Sequence, residues 1–282
     1  MDVLTEGKNF LQRNHVENAR LNAEMLLASV LGLSRMELYL NFEKPLKIEE
    51  REQFKQLLRK RAKAIPLQYL LERTEFMGWS FQINPHVLIP RPETEILVEK
   101  ALSLIPERTR YRILDVGTGS GVIPISIAKV RRDVQLTAVD VSPEALDVAR
   151  GNANLNHVSD QITWICGDIL ESSSPLNGLG AFDMVVSNPP YVTRDEWDRL
   201  APEIKNHEPR LALCDEADGL TFYRTISVQS RNWLNPGGVV FVEVGDKQSQ
   251  PVYELFKKEH FNEICVYHDL NGIERVIQAK LS

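Results

Sequence analysis

Long apolar runs and paired cysteines are missing from this sequence, and so is a positive net charge. No apolar run approaches the roughly 20 residues of a membrane-spanning helix, and the first residues lack the basic-then-apolar pattern of a secretion signal. We therefore expect a cytoplasmic protein without a membrane partner. The rest, 43% hydrophobic and 26% charged among 282 residues, is typical of a globular protein with a substantial core.

The three cysteines, Cys166, Cys214 and Cys265, stand far apart and form no CxxC pair. This spacing speaks against a disulfide framework and against a structural zinc site, so we expect no metal. Free cysteine is among the most buried residue types, and we predict that all three are small buried apolar residues.

The net charge of −6 bears on the class of partner. Sequence-independent binding of nucleic acid depends mainly on neutralising phosphates with Lys and Arg. An acidic chain is a poor candidate for that, and we expect no direct nucleic-acid partner.

The first part of the chain has helical patterning. Leu21, Met25 and Ala28 share one helical face. Ser34, with a glutamate three residues later, has the capping-box pattern of a helix N-terminus. We predict a small helical bundle over residues 1–65.

The pattern changes between residues 66 and 90, where two short strands around Gly78 predict a hairpin that joins two domains. From Arg112 onward, apolar strands alternate with helical segments. That alternation indicates an α/β fold with an open, mostly parallel sheet, whose ligands bind beyond the carboxyl ends of the strands.

The segment Asp115-Val116-Gly117-Thr118-Gly119-Ser120-Gly121 follows a strand and opens a helix. Its glycines allow a tight turn and a close ligand, and the helix N-terminus offers free N–H groups. A dinucleotide fold would need glycine where Val122 stands. The acidic Asp115 fits a cofactor with an ammonium group better than one with a pyrophosphate. A purely structural glycine turn stays open.

Two further carboxylates end later strands. Asp140 lies about 20 residues after the glycine turn, where doubly wound nucleotide folds place a carboxylate that accepts both ribose hydroxyls. Asp168 could accept a hydrogen bond from an adenine amino group while Ile169 packs on the ring. Taken alone, Asp140 could be an ordinary strand-end or capping carboxylate and Asp168 a turn carboxylate facing water, but the glycine loop before them favours the nucleotide-binding roles.

Ser187-Asn188-Pro189-Pro190-Tyr191 is the most specific motif. The two prolines fix φ and remove two backbone donors, which leaves carbonyl groups free to accept. The Asn188 side-chain oxygen and the Pro189 carbonyl can then accept both hydrogens of one NH₂ group. Tyr191 offers a face for stacking on a planar acceptor.

These motifs and further segments along nearly the entire chain resemble the class I S-adenosylmethionine-dependent methyltransferases, and within them the peptide chain release factor glutamine methyltransferases. The further segments are Gln68-Tyr69-Leu70, Glu75-Phe76-Met77-Gly78, Leu88-Ile89-Pro90-Arg91-Pro92-Glu93-Thr94-Glu95, Glu208-Pro209-Arg210-Leu211-Ala212-Leu213, Asp218-Gly219-Leu220 and Leu234-Asn235-Pro236-Gly237-Gly238. Cys214-Asp215-Glu216-Ala217 departs from a family segment often richer in glycine, which bears only on local loop shape.

The resemblance implies a Rossmann-like, doubly wound, mostly parallel sheet of seven strands. It implies a helical substrate-docking domain at residues 1–65, a β-hairpin linker at 66–90 and a catalytic domain at 91–282.

The resemblance also implies S-adenosylmethionine as cofactor, with release factors as protein substrates. The cofactor set is Asp115, Gly117, Thr118, Gly119, Ser120, Gly121, Asp140, Asp168, Ile169 and Asn188. Asn188, Pro189, Pro190 and Tyr191 form the catalytic and substrate-binding set, which would hold the side-chain amide of the glutamine in a Gly-Gly-Gln motif.

Three other functions compete with that one. A DNA or RNA adenine N6-methyltransferase grips a planar NH₂ in the same way, but it must flip a base and neutralise phosphates. A ribosomal-protein glutamine methyltransferase is chemically identical and harder to exclude. A dehydrogenase or non-catalytic Rossmann-like module is disfavoured by Val122 and by the Asn188 loop. We expect a monomer whose release-factor contacts include Arg59, Lys60, Arg61 and Lys63, although that cluster could be an ordinary solvated helix face.

Overall fold

The computed structural model describes residues 2–41, 45–107, 110–171, 176, 178–179 and 181–282. The chain divides into two compact units. One consists of Met1–Arg73 together with Ala201–His207, and the other of Thr74–Leu200 together with Glu208–Ser282. Among the helices of these described ranges, none is long and apolar enough to cross a membrane.

The first unit is a helical bundle whose chain up to Arg73 forms five helices. They are α1 (Asp2–Arg13), α2 (Ala19–Leu31), α3 (Arg35–Leu40), α4 (Ile48–Arg61) and α5 (Leu67–Leu71). Leu11, Leu26 and Phe54 are almost fully buried between them. The capping box predicted at Ser34 is confirmed, because its hydroxyl accepts from Glu37 N and the Glu37 carboxylate accepts from Ser34 N.

Two predictions on this unit are wrong. Leu21 is 37% exposed, and the buried face of α2 is formed instead by neighbours such as Ala23 and Leu26. Arg61 is 8% exposed and cannot belong to a surface patch. Its guanidinium donates to Asn22 Oδ1, to Ile65 O and to Glu203 Oε2 at 2.9 Å, so packing and three acceptors keep it inside the unit.

The predicted hairpin around Gly78 is confirmed, with β1 (Arg73–Phe76) paired to β2 (Trp79–Gln82). Met77 and Gly78, the two residues of its turn, have φ of 51° and 76°. Positive φ at both central positions belongs to the type I′ turn, which matches the twist of the flanking strands.

The second unit contains the predicted seven-stranded sheet, in the order β5-β4-β3-β6-β7-β9-β8. β9 runs antiparallel to β7 and to β8, whereas the pairs from β5 to β7 are parallel. The strands are β3 (Tyr111–Val116), β4 (Val134–Asp140), β5 (Ile162–Cys166), β6 (Phe182–Ser187), β7 (Leu234–Glu243), β8 (Phe261–His268) and β9 (Glu274–Leu281).

Helices connect these strands and cover the sheet. They are α6 (Thr94–Leu104), α7 (Val122–Val130), α8 (Pro143–Leu155), α9 (Arg194–Trp197), α11 (Thr221–Trp233) and α12 (Ser249–Lys258), while α10 (Pro202–His207) belongs to the first unit. One core cluster packs α6 and α7 on the sheet, and a second packs α11 and α12. The strands are apolar because both faces of the sheet are covered.

The prediction of three buried cysteines is correct only for Cys214. Cys166 and Cys265 are exposed. Cys166 ends β5 and Cys265 lies in β8, the two edge strands of the sheet, where a small side chain is not enclosed by neighbouring strands on both sides.

Candidate active site

A cavity opens at the carboxyl ends of β3, β4 and β6, next to the point where the strand order reverses on either side of β3. Ligands of doubly wound sheets bind at such a switch point. Ten of the predicted site residues line the cavity: Gly117, Thr118, Gly119, Ser120, Asp140, Asp168, Ile169, Asn188, Pro189 and Pro190. Asp115, Gly121 and Tyr191, which the structure also describes, lie outside its lining.

The glycine loop is held by the neighbouring strand. Gly117 N and Thr118 N both donate to Val139 O, at 2.9 and 3.0 Å. Gly121 has φ of 80°, and a Cβ there would lie 2.9 Å from Ile125 Cδ1 and 3.1 Å from Ala149 Cβ. The helix α7 can therefore begin directly under the cavity only because residue 121 is glycine.

The Asp140 carboxylate braces the loop from the end of β4. Its Oδ2 accepts from Gly119 N at 2.8 Å and its Oδ1 from Ser142 N at 3.0 Å. Burial raises the pKa of Asp140 above its ordinary value, while these backbone donors oppose the rise. Each oxygen has a second lone pair, so the carboxylate can brace the loop and still accept from a ligand.

Asp115 lies beneath the loop and is fully buried. Among the described residues, neither of its carboxylate oxygens has a hydrogen-bond partner, and the buried Thr118 hydroxyl also lacks one. Burial raises the pKa of Asp115 to about 7. Unpartnered buried polar groups are costly, so a carboxyl group at this position is not explained by packing.

Asp168 and Ile169 follow β5 on the same side of the cavity. Gly167 N donates to Asp140 O at 2.9 Å, which ties this turn to the end of β4. Asp168 Oδ1 accepts from Leu170 N at 2.8 Å, and Ile169 is buried in the core cluster under the sheet end. The pair thus presents one carboxylate oxygen and one apolar side chain to the cavity.

Asn188 follows β6 and is oriented by two buried groups. Its Nδ2 donates to Thr94 Oγ1 at 3.1 Å, and that hydroxyl donates to Glu243 Oε2 at 2.6 Å. Thr94 and Glu243 are each 2% exposed, and burial raises the pKa of Glu243 to about 7. With its NH₂ group engaged, Asn188 has its side-chain oxygen left for a donor in the cavity.

The rest of the loop is packed rather than free. Pro189 is buried and Pro190 half-buried, and both line the cavity. The Tyr191 ring packs against apolar clusters on either side of the loop, and burial raises the pKa of its hydroxyl to about 12. Tyr191 O accepts from Gln248 Nε2 at 2.9 Å, which holds the loop from the start of α12.

An ion pair between half-buried Arg91, which lines the cavity, and buried Glu208 lies beside the cavity. Glu208, 6% exposed, accepts from Arg91 Nη2 at 2.6 Å and from Ile89 N at 3.1 Å. These contacts connect the segment before α6 to the segment that begins at Glu208. In that second segment Leu211 lines the cavity and is 58% exposed.

The sequence interpretation missed four structural supports of the site: Thr94, Asn152, Glu208 and Glu243. Thr94 and Glu208 lie in segments that carried the family resemblance, and that resemblance was the available signal for them. The Asn152 amide bonds to both backbone groups of Gln82 and to Ser120 O, a link that no local pattern announces. Of the described residues, no group of three or more His, Cys, Asp or Glu side chains could hold a metal ion.

Comparison with known proteins gives the family. Residues 2–71 match a family model described as the PrmC N-terminal domain, and residues 93–206 match the methyltransferase small domain. The release factor glutamine methyltransferase of Geobacter sulfurreducens is 41% identical over 279 residues, which cover 99% of this chain and 95% of that protein. The enzyme of the same description from Chlorobaculum tepidum is 40% identical over 280 residues, covering 98% of this chain and 95% of that protein.

A solved methyltransferase from Pyrococcus furiosus has the same fold. It is 19% identical, with a TM-score of 0.53 over 73% of this chain and 90% of that chain. The structural likeness shows the fold alone, and the sequence similarity over nearly the whole length shows the family. This chain is therefore a methyltransferase that belongs to the release factor glutamine methyltransferases.

Proposed function

We propose that this protein transfers a methyl group from S-adenosylmethionine to the side-chain amide nitrogen of the glutamine in the Gly-Gly-Gln motif of peptide chain release factors. The observation that carries the proposal is the orientation of Asn188, whose NH₂ group is engaged by Thr94 while its oxygen is left for the cavity. A neighbouring carbonyl from Pro189 can accept the second hydrogen of the same planar NH₂ group. The relatives described as release factor glutamine methyltransferases support the choice of acceptor.

The residues around the glycine loop fit the cofactor. The unpartnered Thr118 hydroxyl belongs to a residue that lines the cavity, and the positive φ of Gly117 and Gly119 leaves the backbone uncovered by side chains. Asp140 suits the ribose hydroxyls, while Asp168 and Ile169 suit the adenine ring. When bound, S-adenosylmethionine supplies a methyl group activated by its sulfonium centre.

The protein's task is to present a poor nucleophile. The lone pair of an amide nitrogen is delocalised into its carbonyl group, so the nitrogen must be held and aimed. Two oriented acceptors fix both N–H bonds and favour the positive charge that develops on nitrogen during transfer. Positioning of this kind can lower a barrier by about 7–11 kcal/mol. The proton can leave after transfer, and no strong base is needed.

Methylation of a purified bacterial release factor, followed by tandem mass spectrometry, tests the proposal. The wild-type protein should add one methyl group to the glutamine of the Gly-Gly-Gln motif. Asn188→Ala should keep most of its S-adenosylmethionine affinity and lose turnover by orders of magnitude, whereas Asn271→Ala, at an exposed hairpin tip, should behave as wild type. Methyl incorporation into DNA or ribosomal protein, with none into the release factor, would overturn the acceptor.

The helical unit is proposed as the docking platform for the release factor. Arg59 and Lys60 at the end of α4 and Lys63 just after it are exposed, whereas the buried Arg61 is excluded from the contact. Reversing the three exposed charges to Glu should raise KM for the whole release factor and leave KM for a short Gly-Gly-Gln peptide unchanged. Reversal of the exposed Arg13 on α1 is the matched control. An equal effect on both substrates would place docking elsewhere.

A further inference from the structure

We propose that Thr94 and Glu243 are positioning residues that lock the Asn188 amide with its oxygen facing the acceptor. The inference deepens the proposed function and rests on it. The three side chains come from separate parts of the second unit: Thr94 begins α6, Asn188 follows β6 and Glu243 ends β7. The fold brings them into a single chain of hydrogen bonds across 94 and 149 residues of sequence.

The direction of this chain is fixed by the number of protons. A threonine hydroxyl has one hydrogen, and Thr94 donates it to Glu243 Oε2 while Glu243 is ionised, because the carboxylate can then only accept. Its oxygen can therefore only accept from Asn188, and only the NH₂ side of the amide can donate. Rotating the amide by 180° would set its oxygen against the lone pairs of Thr94. Glu243 thus selects, through Thr94, which end of Asn188 faces the cavity.

The selected orientation is the one that the reaction needs. An acceptor NH₂ group offers two donors, which require acceptors on the protein. In the rotated orientation the NH₂ group of Asn188 would face the NH₂ group of the substrate. No hydrogen bond could form between them, and the substrate nitrogen would not be held. An asparagine without Thr94 can turn about its last side-chain bond, because that torsion is broad and roughly two-fold.

A role in packing alone does not explain why position 243 carries a carboxyl group. Glu243 is the one acidic residue of β7, in a buried apolar run, and it is 2% exposed. Burying a carboxyl group destabilises a fold unless its partners compensate. An apolar side chain at this position would satisfy packing but could not accept the hydrogen of Thr94.

Kinetics of matched variants test the proposal. Thr94→Val keeps the shape and removes the hydroxyl, and we expect kcat to fall on the order of 10²-fold, the typical cost of misplacing a reacting group. S-adenosylmethionine affinity should change little, whereas the melting temperature should fall, because the buried Glu243 carboxyl group loses its partner. Thr94→Ser should restore kcat to within about threefold of wild type, because the loss of one methyl group leaves the hydroxyl in place.

A double-mutant cycle separates positioning from a structural role. If Thr94 acts through Asn188, adding Thr94→Val to Asn188→Ala should cause no further loss of kcat. Multiplying losses would overturn the proposal, as would a Thr94→Ser variant as slow as Thr94→Val. Glu243→Gln is informative as well, because its amide can donate to Thr94 and reverse the chain. We expect it to lower kcat, and unchanged kcat in this variant would remove Glu243 from the pair.

A measurement without substrate keeps this inference distinct from the proposed function. The Asn188 side-chain NH₂ signals can be assigned in nitrogen-15 spectra of the free protein by their loss in Asn188→Ala. In Thr94→Val the proton that Thr94 accepts should lose its protection from exchange with water, and in Thr94→Ser it should keep it. Unchanged exchange would refute the pair even in an active enzyme. If the Asn188 proton is protected from exchange in the wild type and loses that protection in Thr94→Val, but the wild type does not methylate release factor, only the proposed function is refuted.

Discussion

Replacing Glu243 by Gln should change how the stability of this protein depends on pH. Burial raises the pKa of Glu243 from 4.5 to about 7, because the ionised form loses its hydration inside the sheet. The folded protein holds the proton more tightly than the unfolded chain. The stabilising contribution of Glu243 is therefore complete below about pH 4.5 and is lost as the pH rises through 7. Gln cannot ionise and has no such dependence.

The size of the effect follows from the two pKa values. One pKa unit corresponds to 1.36 kcal/mol, so a rise from 4.5 to about 7 is worth about 3 kcal/mol when the full range is covered. Between pH 5 and pH 8 the wild type should lose about 2–3 kcal/mol of unfolding free energy relative to Glu243→Gln. The buried Asp115 has a raised pKa in both proteins, so its contribution cancels in the comparison.

Urea unfolding of both proteins at several pH values between 5 and 8, followed by circular dichroism, measures this difference. The slope of unfolding free energy against urea concentration should be the same for both proteins, so that a shift in the midpoint reports a change in stability. Parallel stability profiles for wild type and Glu243→Gln would refute the reasoning, because they would show that Glu243 ionises in the folded protein as readily as in the unfolded chain.

Three further changes have defined outcomes. Asp140→Ala removes the carboxylate proposed to accept from the ribose hydroxyls, which is also the acceptor of Gly119 N and Ser142 N. Calorimetry should show S-adenosylmethionine affinity reduced by a few kcal/mol, at about 1.5–3 kcal/mol per charge-assisted bond to the ribose; unchanged affinity would exclude Asp140 from the cofactor site. Gly121→Ala should lower the unfolding free energy by about 2 kcal/mol, since φ is 80° and its Cβ would meet Ile125; a melt like that of wild type would contradict this. Asn152→Leu should cost about 3 kcal/mol by leaving the buried Ser120 carbonyl and two part-buried backbone groups of Gln82 unpaired, and a neutral result would show that water replaces the amide.

Local patterns predicted those features that local interactions determine. The capping box at Ser34 and the turn at Gly78 depend on residues within a few positions of each other, and both were predicted correctly. The sheet followed from apolar runs, since strands covered on both faces must be apolar along their whole length. The glycine loop was also predicted beside the ligand site, because a tight turn after a strand has few alternatives to glycine.

Features that depend on distant partners were missed or predicted wrongly. Glu243 stands in an apolar strand, and nothing near it in sequence shows that Thr94 is its partner. Arg61 looked like part of a surface patch, because Glu203, which helps to bury it, lies 142 residues further on. On α2 several apolar positions permit more than one face, and only packing decides that Leu21 is outside.

The pairing of Arg61 with Glu203 has a consequence for synthesis of the protein. The helical unit comes first in the chain, yet its last segment, Ala201–His207, is made only after most of the second unit has been translated. At about 5–20 residues per second, the 142 residues between Arg61 and Glu203 need roughly 7–28 s. During that interval Arg61 has Asn22 and Ile65 as acceptors but lacks its carboxylate. The unit that begins the chain is thus completed late, and a ribosome that stalls before residue 203 carries a helical bundle still missing the acid that neutralises its buried arginine.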